Sequence, residues 1–199
     1  MENQNQPVNE LTLIKLSLSG DKTAYSVLID NYKNSIFYLM FRMTGNYHDA
    51  EDLSQETFFR AYKHLVKFEI NRNFRNWLYT IAVNLCKNKL KRDKIIEFVS
   101  LRKKAGINQE EVELQVTDYS NIPEELAIKA EEKNHLVNIV NSLPIKYKTV
   151  FSLRYVDDLS YKEISEITGL PLGTVEIYLF RAKKHILNNL SKDEILNRS

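Results

Sequence analysis

The stretch LSYKEISEITGLPLGTVEIYLFRAKKHI, residues 159–186, has the pattern of two short helices joined by a tight turn. Ser160 followed by Glu163 is a capping box, which marks the start of a helix. Gly169 suits the end of that helix, and Pro171 suits the start of the next, where its missing N–H costs nothing. The stretch therefore predicts a helix-turn-helix, whose second helix lies in the DNA major groove. An ordinary helical hairpin fits the spacing about equally well.

Apolar spacing separates an inner from an outer side on both helices. Ile164 and Ile167 are predicted to face inward on the first helix. On the second helix the predicted inner stripe is Leu172, Val175, Leu179, Ala182 and Ile186. The outer face and its flanks present Thr174, Glu176, Ile177, Tyr178, Phe180, Arg181, Lys183, Lys184 and His185. These outward residues are the candidates for DNA contact.

Composition and length restrict the class of protein. A chain of 199 residues suits one or two small domains, and the scarcity of Gly (5) and Pro (4) favours an all-α fold. The polar start MENQNQPVNE is not expected to be a signal peptide, and the longest apolar run, IFYLMF, is too short to span a bilayer. Cys86 is the single cysteine, so no intrachain disulfide forms. We therefore expect a reducing compartment, most simply the cytoplasm.

Charge is unevenly distributed although the net charge is only +2. Formal charge is −4 over residues 1–59, +10 over 60–104, −6 over 105–133 and +2 over 134–199. A basic block between acidic ones is what binding to nucleic-acid phosphates requires. A solvated basic face without a partner would give the same pattern, so charge alone favours nucleic acid only modestly.

Breaks in helical periodicity predict the domain organisation. Gly45 is expected to end one helix, and Asn46 to cap the next. A third helix is predicted from about Phe74 to Arg92, after which periodicity fades. The predicted fold is all-α, with two small helical domains joined by a flexible acidic linker. The predicted segments are an N-terminal extension at 1–20, a first domain at 21–94, the linker at 95–128, a second domain with the helix-turn-helix at 129–192, and a tail at 193–199.

The predicted third helix combines aromatic and basic residues. Its apolar face is Trp77, Leu78, Ile81, Ala82 and Leu85, and its polar side is Thr80, Asn84, Lys87, Asn88 and Lys91. Aromatic rings beside a basic stripe suit single-stranded DNA, because bases stack on rings while lysines hold phosphates. Trp77 lies on the apolar stripe and is better explained as core, whereas Tyr79 lies off it and is predicted to be exposed. Cys86 is predicted to be a small core residue.

Three segments in order carry a resemblance to a known family: FRMTGNYHDAEDLSQETFFRAY at 41–62, FRNWLYTIAVNL at 74–85 and LSYKEISEITGLPLGTV at 159–175. They resemble the two conserved domains of extracytoplasmic-function (ECF) sigma factors, and are similar to the cell-envelope-stress branch from Gram-positive bacteria. The resemblance covers about 20–94 and 130–190. It implies a dissociable subunit that binds core RNA polymerase, directs it to promoters and helps melt the minus-ten region. It also implies control by an anti-sigma factor, often anchored in a membrane.

The resemblance implies a polymerase-binding helix at 52–65. This helix would dock on the beta-prime clamp, and the beta flap is a further implied contact. The implied contact residues are Asp52, Leu53, Gln55, Glu56 and Phe59. The residues agree independently, since an acidic, partly aromatic outward face suits a protein partner better than DNA.

The resemblance also implies two DNA-binding segments. Residues 68–92 would capture the melted minus-ten strand, with Asn84 near a flipped base. The implied contacts there are Phe68, Arg72, Asn73, Arg75, Tyr79, Asn84, Lys87 and Lys91. The helix-turn-helix at about 160–179, with a helix continuing to 190, would bind the minus-thirty-five duplex. The acidic linker would thread through polymerase channels in place of nucleic acid.

The sequence departs from the family pattern after Gly173-Thr174-Val175. Relatives usually carry a basic residue, a small polar residue and an arginine, where this chain has Glu176, Ile177 and Tyr178. Glu176 can accept from a cytosine amine and Ile177 can pack on a thymine methyl, while Arg181, Lys183 and Lys184 hold phosphates. We therefore predict an unusual minus-thirty-five sequence. Thr80 also stands where relatives often have arginine, which weakens the case for a contact there.

Two other classes of function were weighed. A helix-turn-helix regulator acting without polymerase would leave residues 46–92 unexplained and would need a homodimer interface. An enzyme is disfavoured, because the sequence has no Walker lysine, nucleophile elbow or zinc-ligand cluster, and its histidines are scattered. We expect no catalytic residue, cofactor, metal, small-molecule substrate or direct membrane insertion.

Overall fold

The computed structural model describes residues 9–104 and 138–196, and side chains over 9–96 and 138–190. Every regular element in these ranges is helical, which confirms the all-α prediction. A short 3₁₀ turn covers Leu65–Lys67, and a helical turn covers residues 138–141. The α helices are α1 (Glu10–Leu18), α2 (Lys22–Asp30), α3 (Lys33–Thr44), α4 (Tyr47–His64), α5 (Phe74–Lys104), α6 (Ile145–Tyr155), α7 (Tyr161–Thr168) and α8 (Leu172–Leu196).

The first domain contains α1–α5 and begins earlier than the sequence suggested. Leu13 and Ile14 of α1 are buried in the core, so residues 10–18 belong to the fold rather than to a separate extension. The apolar stripe from Ala24 to Met40 is divided between α2 and α3, because the helix is interrupted between Asp30 and Lys33. Core residues from α1–α5 meet in one cluster.

The predicted boundary between α3 and α4 is confirmed. Gly45 adopts a left-handed conformation with φ 71°, which glycine tolerates without strain. The Asn46 side chain accepts a hydrogen bond from the Asp49 N–H, so it satisfies one of the free donors at the start of α4. Asp49 in the first turn also suits the positive end of the helix dipole.

Helix α5 is longer than predicted. It continues to Lys104, whereas the sequence analysis placed its end at about Arg92 and began the linker at 95. No Gly or Pro occurs between Asp93 and Lys104, so nothing in that segment ends a helix. The predicted linker beyond 104 lies outside the described residues.

The second domain contains the predicted helix-turn-helix. Ser160 and Glu163 form the capping box, and Gly169 ends α7 with φ 70°. Ile164 and Ile167 are buried, as predicted. The inner stripe of α8 is confirmed at Val175, Leu179, Ala182 and Ile186. Leu172 is an exception with 47% exposure, because it is the first residue of α8 and lies at the edge of the core.

Ser160→Ala is expected to lower the free energy of unfolding by about 1 kcal/mol at neutral pH. Hydrogen bonds from the Ser160 side chain and backbone lower the pKa of Glu163, so this carboxylate stabilises the fold above its unfolded pKa. That contribution is lost as pH falls through the lowered pKa. Urea unfolding should show that Ser160→Ala lowers the free energy of unfolding less at about pH 3 than at pH 7. Ser26→Ala, an exposed change within α2, is the matched control; an equal cost in both variants would contradict the capping role.

The two domains contact each other directly. Helix α7 packs on α5, and α6 packs on α3. Buried apolar residues from both sides form a single cluster, with Leu28, Ile36 and Val83 from the first domain and Leu153 and Ile164 from the second. This contact also determines which candidate site residues are accessible. Nowhere in the described ranges is a helix both long and apolar enough to cross a membrane.

Candidate polymerase and nucleic-acid interfaces

Helix α4 presents most of its predicted polymerase contacts to solvent. Asp52, Gln55 and Phe59 are exposed, and Phe59 retains 53% of its surface. Glu56 is half-buried and forms an ion pair with Arg60 at 2.6 Å. Leu53 is only 6% exposed and lies in the core, so it supports α4 from inside rather than from its outer face.

Two concave regions border this face of α4. A cleft of about 560 Å³ between α4 and α5 is lined mainly by charged residues, among which Lys89 bonds Asp49 at 3.0 Å and Asp93 at 3.1 Å. An apolar groove of about 330 Å³ between α2 and α4 is lined by Lys22, Tyr25, Ile29, Phe58, Phe59 and Tyr62. Exposed aromatic surface of this kind is typical of a protein-binding site.

The predicted minus-ten residues differ widely in accessibility. Exposed residues are Arg72, Asn73, Asn84 and Lys91; half-buried residues are Arg75 and Lys87; buried residues are Phe68 and Tyr79. Phe68 packs on Phe74 and Trp77, with ring centroids 5.4 Å and 5.1 Å away. It therefore stabilises the loop before α5, and its ring is not available to stack on a base in this arrangement.

The predicted exposure of Tyr79 is wrong. Its side chain is fully buried, and its hydroxyl donates to Asp157 Oδ1 at 3.2 Å. The error has a physical cause: the sequence analysis considered one apolar face of α5, whereas the second domain covers another. Burial raises the pKa of Tyr79, and the nearby Asp157 carboxylate adds to this effect.

Two asparagines at the start of α5 have structural contacts. The Asn73 side chain accepts from the Asn76 N–H at 3.0 Å and so caps the helix. Asn76 was missed by the sequence analysis; it is only 3% exposed and donates to Glu166 Oε2 at 3.1 Å. No local pattern could identify it, because its partner lies 90 residues further along the chain.

Cys86 is fully buried, as predicted for a small core residue, and burial raises its pKa to about 12. At neutral pH the reactive thiolate is then about a thousandfold rarer than for a free cysteine. A chromogenic disulfide reagent should therefore label the native chain very slowly and the urea-unfolded chain rapidly. Since Cys86 is the single cysteine, the signal comes from one site. Equal labelling rates in the two states would contradict the burial.

Helix α8 presents its predicted DNA contacts outward. Exposed residues are Glu176, Ile177, Phe180, Arg181, Lys183 and Lys184; half-buried residues are Thr174 and Tyr178. Ile177 and Phe180 keep 50% and 68% of their surface. Exposed apolar groups among cations suit a groove that offers both phosphates and thymine methyls.

Residues of α6 support this face and were missed by the sequence analysis. The Tyr147 ring lies 5.2 Å from the Tyr178 ring, and Arg181 donates to the Tyr147 hydroxyl at 3.3 Å. Lys146 lies over both rings. Tyr147 therefore helps to set the position of Arg181, and this pairing across 34 residues has no signature in the local sequence.

Comparison with known proteins identifies both domains. Residues 28–95 match the family model described as Sigma-70 region 2, and residues 134–186 match the one described as Sigma-70, region 4. The ECF RNA polymerase sigma factor SigW of Bacillus subtilis is 37% identical over 89% of this chain and 94% of the relative. The chain belongs to the ECF sigma factor family. The ECF sigma-E factor of Escherichia coli K12 is 30% identical over 94% of this chain and 96% of the relative.

Solved structures show the same fold for this sigma factor. CnrH, in complex with the cytosolic domain of CnrY, is similar with a TM-score of 0.66 over 92% of this chain and 98% of CnrH, at 19% identity. RpoE of Bartonella quintana, in complex with the anti-sigma factor NepR, gives 0.57 over 83% and 93%, also at 19% identity. The predicted family is thus confirmed, and sigma factors act in transcription initiation by directing RNA polymerase to promoters.

Proposed function

We propose that this sigma factor uses three separate surfaces, each with its own partner. The outward face of α4 binds core RNA polymerase at the beta-prime clamp. Helix α5 and the loop before it capture the melted minus-ten strand, and α8 binds the minus-thirty-five duplex. The observation that carries this assignment is the chemical difference between the surfaces: α4 exposes acidic and aromatic groups, whereas α8 exposes cations beside apolar side chains.

The polymerase surface centres on Gln55 and Phe59. Both point to solvent from the middle of α4, next to the apolar groove that Tyr62 and Phe58 line. An exposed aromatic residue in such a setting is a typical energetic centre of a protein interface. Asp52 and Glu56 precede Phe59 on α4, whereas Lys63 Nζ lies 4.3 Å from the Phe59 ring centroid and Lys22 lines the groove. A contact of the chain with the beta flap is also implied by the family resemblance.

The minus-ten surface combines Asn84 and Lys91 with the loop cations. Asn84 is exposed on α5, where an amide can bond the edge of an unpaired base. Lys91 lies two turns further along the same helix and is exposed, so it can follow the strand's phosphates. Extruding a base costs a few kcal/mol, which these contacts offset.

Control by an anti-sigma factor is part of the proposal. The similar RpoE of Bartonella quintana is solved in complex with the anti-sigma factor NepR, and the exposed α4 face and apolar groove offer such a protein a surface to bind. We place the protein in the cytoplasm, where RNA polymerase acts, with membrane attachment only through such a partner.

The deciding experiment is binding of the purified chain to core RNA polymerase at near-physiological salt. The double variant Gln55→Ala/Glu56→Lys should weaken binding by about 10- to 100-fold, because two contacts near the centre of the interface are lost. Asp30→Lys, a charge reversal on the exposed end of α2, is the matched control and should bind like wild type. Absence of polymerase binding by the wild type, with stable binding to duplex DNA alone, would contradict the proposal.

A further inference from the structure

Four side chains from two helices meet beside the face of α8 that is proposed to bind DNA. The Tyr147 ring at the start of α6 lies edge-on to the Tyr178 ring of α8, with centroids 5.2 Å apart and ring planes at 78°. Lys146 Nζ lies 5.0 Å from the Tyr147 centroid and 5.6 Å from the Tyr178 centroid. Arg181 donates to the Tyr147 hydroxyl at 3.3 Å. These four residues, called the tyrosine cluster below, bring together one cation from each helix.

The tyrosine cluster is positively charged and open to solvent. Lys146 and Arg181 are both exposed, and within the described ranges neither forms an ion pair with a carboxylate. The hydrogen bond from Arg181 lowers the pKa of Tyr147, because a cationic donor stabilises the ionised form of a phenol. Exposed cations in this arrangement are suited to bind an anionic group from a partner.

Aromatic contacts, rather than ion pairs, hold Lys146 in its position. A lysine ammonium is attracted to the faces of aromatic rings, so the two tyrosines restrict an otherwise flexible four-carbon side chain. Restriction before binding lowers the entropy cost of a later contact. The ammonium keeps its charge and its donors, which is what a phosphate contact requires. A purely structural cluster would need only the rings, since an exposed ammonium fills no space in the core.

The position of the tyrosine cluster on α8 matches the geometry of a duplex. Helical periodicity places Tyr178 and Lys183 on opposite flanks of the outward face. Lys146 lies against the Tyr178 flank, whereas Lys183 lies on the other flank, 5.2 Å from the Tyr155 ring centroid. An α-helix in the major groove has a phosphate backbone on each side. A lysine on each flank therefore suits the two strands of one duplex.

The start of α6 adds to the positive potential around Lys146. Lys146 is the second residue of this helix, where the positive end of the helix dipole lies. The residue before the helix is Pro144, which makes no side-chain capping bond, so the first N–H groups have no side-chain acceptor. Such a helix end favours phosphate, and here it acts together with the lysine.

We propose that the start of α6 is part of the minus-thirty-five interface. Lys146 binds a backbone phosphate of the strand along one flank of α8, and Tyr147 and Tyr178 are positioning residues that hold its ammonium. Tyr147 also positions Arg181 through its hydroxyl, so two helices bind the duplex as one unit. A phosphate contact supplies affinity and register rather than base preference. This inference rests on the proposed minus-thirty-five role of α8.

Lys146→Gln tests the charge, because glutamine is neutral and also suits a helix. Binding of reconstituted holoenzyme to a fluorescein-labelled promoter duplex should weaken about 3- to 10-fold, and equally for different minus-thirty-five sequences. The slope of log affinity against log salt concentration should become shallower by about 0.9, the value for one phosphate. Lys146→Arg should retain both properties. Lys15→Gln makes the same charge change on the exposed face of α1, and this matched control should bind like wild type.

Neutral methylphosphonates, placed one at a time along both strands of the minus-thirty-five element, locate the contact directly. At one or two phosphates of a single strand, neutralisation should weaken binding of wild type by about 3- to 10-fold and of Lys146→Gln no further. Lys183→Gln should show the same non-additivity on the opposite strand. Tyr178→Leu removes the ring but keeps apolar bulk, and it should reduce the effect of Lys146 at its phosphate. Circular dichroism confirms that each variant keeps its helices.

Lys184→Gln separates this inference from the function on which it rests, because Lys184 is a phosphate contact already assigned to α8. Non-additivity for Lys184→Gln but at no phosphate for Lys146→Gln would overturn the inference and leave the role of α8 in place. Additive effects for both variants at every phosphate would contradict the minus-thirty-five role of α8 itself. Equal losses in Lys146→Gln and Lys146→Arg, or non-additivity of Lys146 and Lys183 at the same phosphate, would also overturn the inference.

Discussion

Ile164→Ala is expected to lower the free energy of unfolding by about 2–5 kcal/mol, the largest stability effect proposed for this chain. Ile164 has no exposed surface and lies in the apolar cluster that joins both domains. Truncation removes buried methyl groups and leaves a cavity that the surrounding side chains fill only partially. Urea unfolding followed by far-ultraviolet circular dichroism measures the change.

Ile177→Ala is the matched control, since it makes the same chemical change on the neighbouring helix. Ile177 keeps 50% of its surface, so its replacement should change stability by less than about 0.5 kcal/mol. It should instead weaken recognition of the minus-thirty-five element, if its methyl groups pack on DNA. Equal stability losses in the two variants would contradict the assignment of inner and outer faces on this helix-turn-helix.

The sequence predicted the local features of this fold accurately because their causes are local. A capping box needs only Ser160 and Glu163 at the right spacing, and a left-handed helix end needs only a glycine such as Gly169. Both are present in the structure, as is the Asn46 cap of α4. Ile164 and Ile167 follow from helical periodicity within a single segment.

Features that depend on distant residues could not be predicted in the same way. Tyr79 and Asn76 are polar or amphipathic groups on α5, and nothing near them in sequence shows that Asp157 and Glu166 cover them. The support that Tyr147 gives to Arg181 is similarly non-local. In each case the deciding contact joins segments at least 34 residues apart.

The early start of the first domain and the late end of α5 have a different explanation. Fading helical periodicity after Arg92 and a polar start placed residues 95–128 and 1–20 outside the predicted domains. Polar and charged residues do not end a helix when Gly and Pro are missing, and α5 continues to Lys104. Helix α1 is anchored by two apolar residues, Leu13 and Ile14, too few to give a clear stripe.

Glu176→Arg is expected to change the preferred base at one position of the minus-thirty-five element. The preference for the wild-type base over its alternative should shift by about 10- to 100-fold. Glu176 is exposed in the first turns of α8, next to Ile177, on the part of the helix proposed to enter the groove. A carboxylate accepts from the cytosine amine, whereas an arginine donates to guanine, so the substitution inverts the preferred base.

Transcription by reconstituted holoenzyme from a library randomised over the minus-thirty-five element measures this preference. Lys184→Ala is the informative comparison, because Lys184 is assigned to a phosphate and should lower output on every sequence alike. An unchanged preference in Glu176→Arg would show that Glu176 does not contact a base. In that case the cations of α8 would supply affinity alone, namely Arg181, which Tyr147 contacts, and the nearby lysines. Sequence specificity would then depend on Ile177 and on the shape of the DNA.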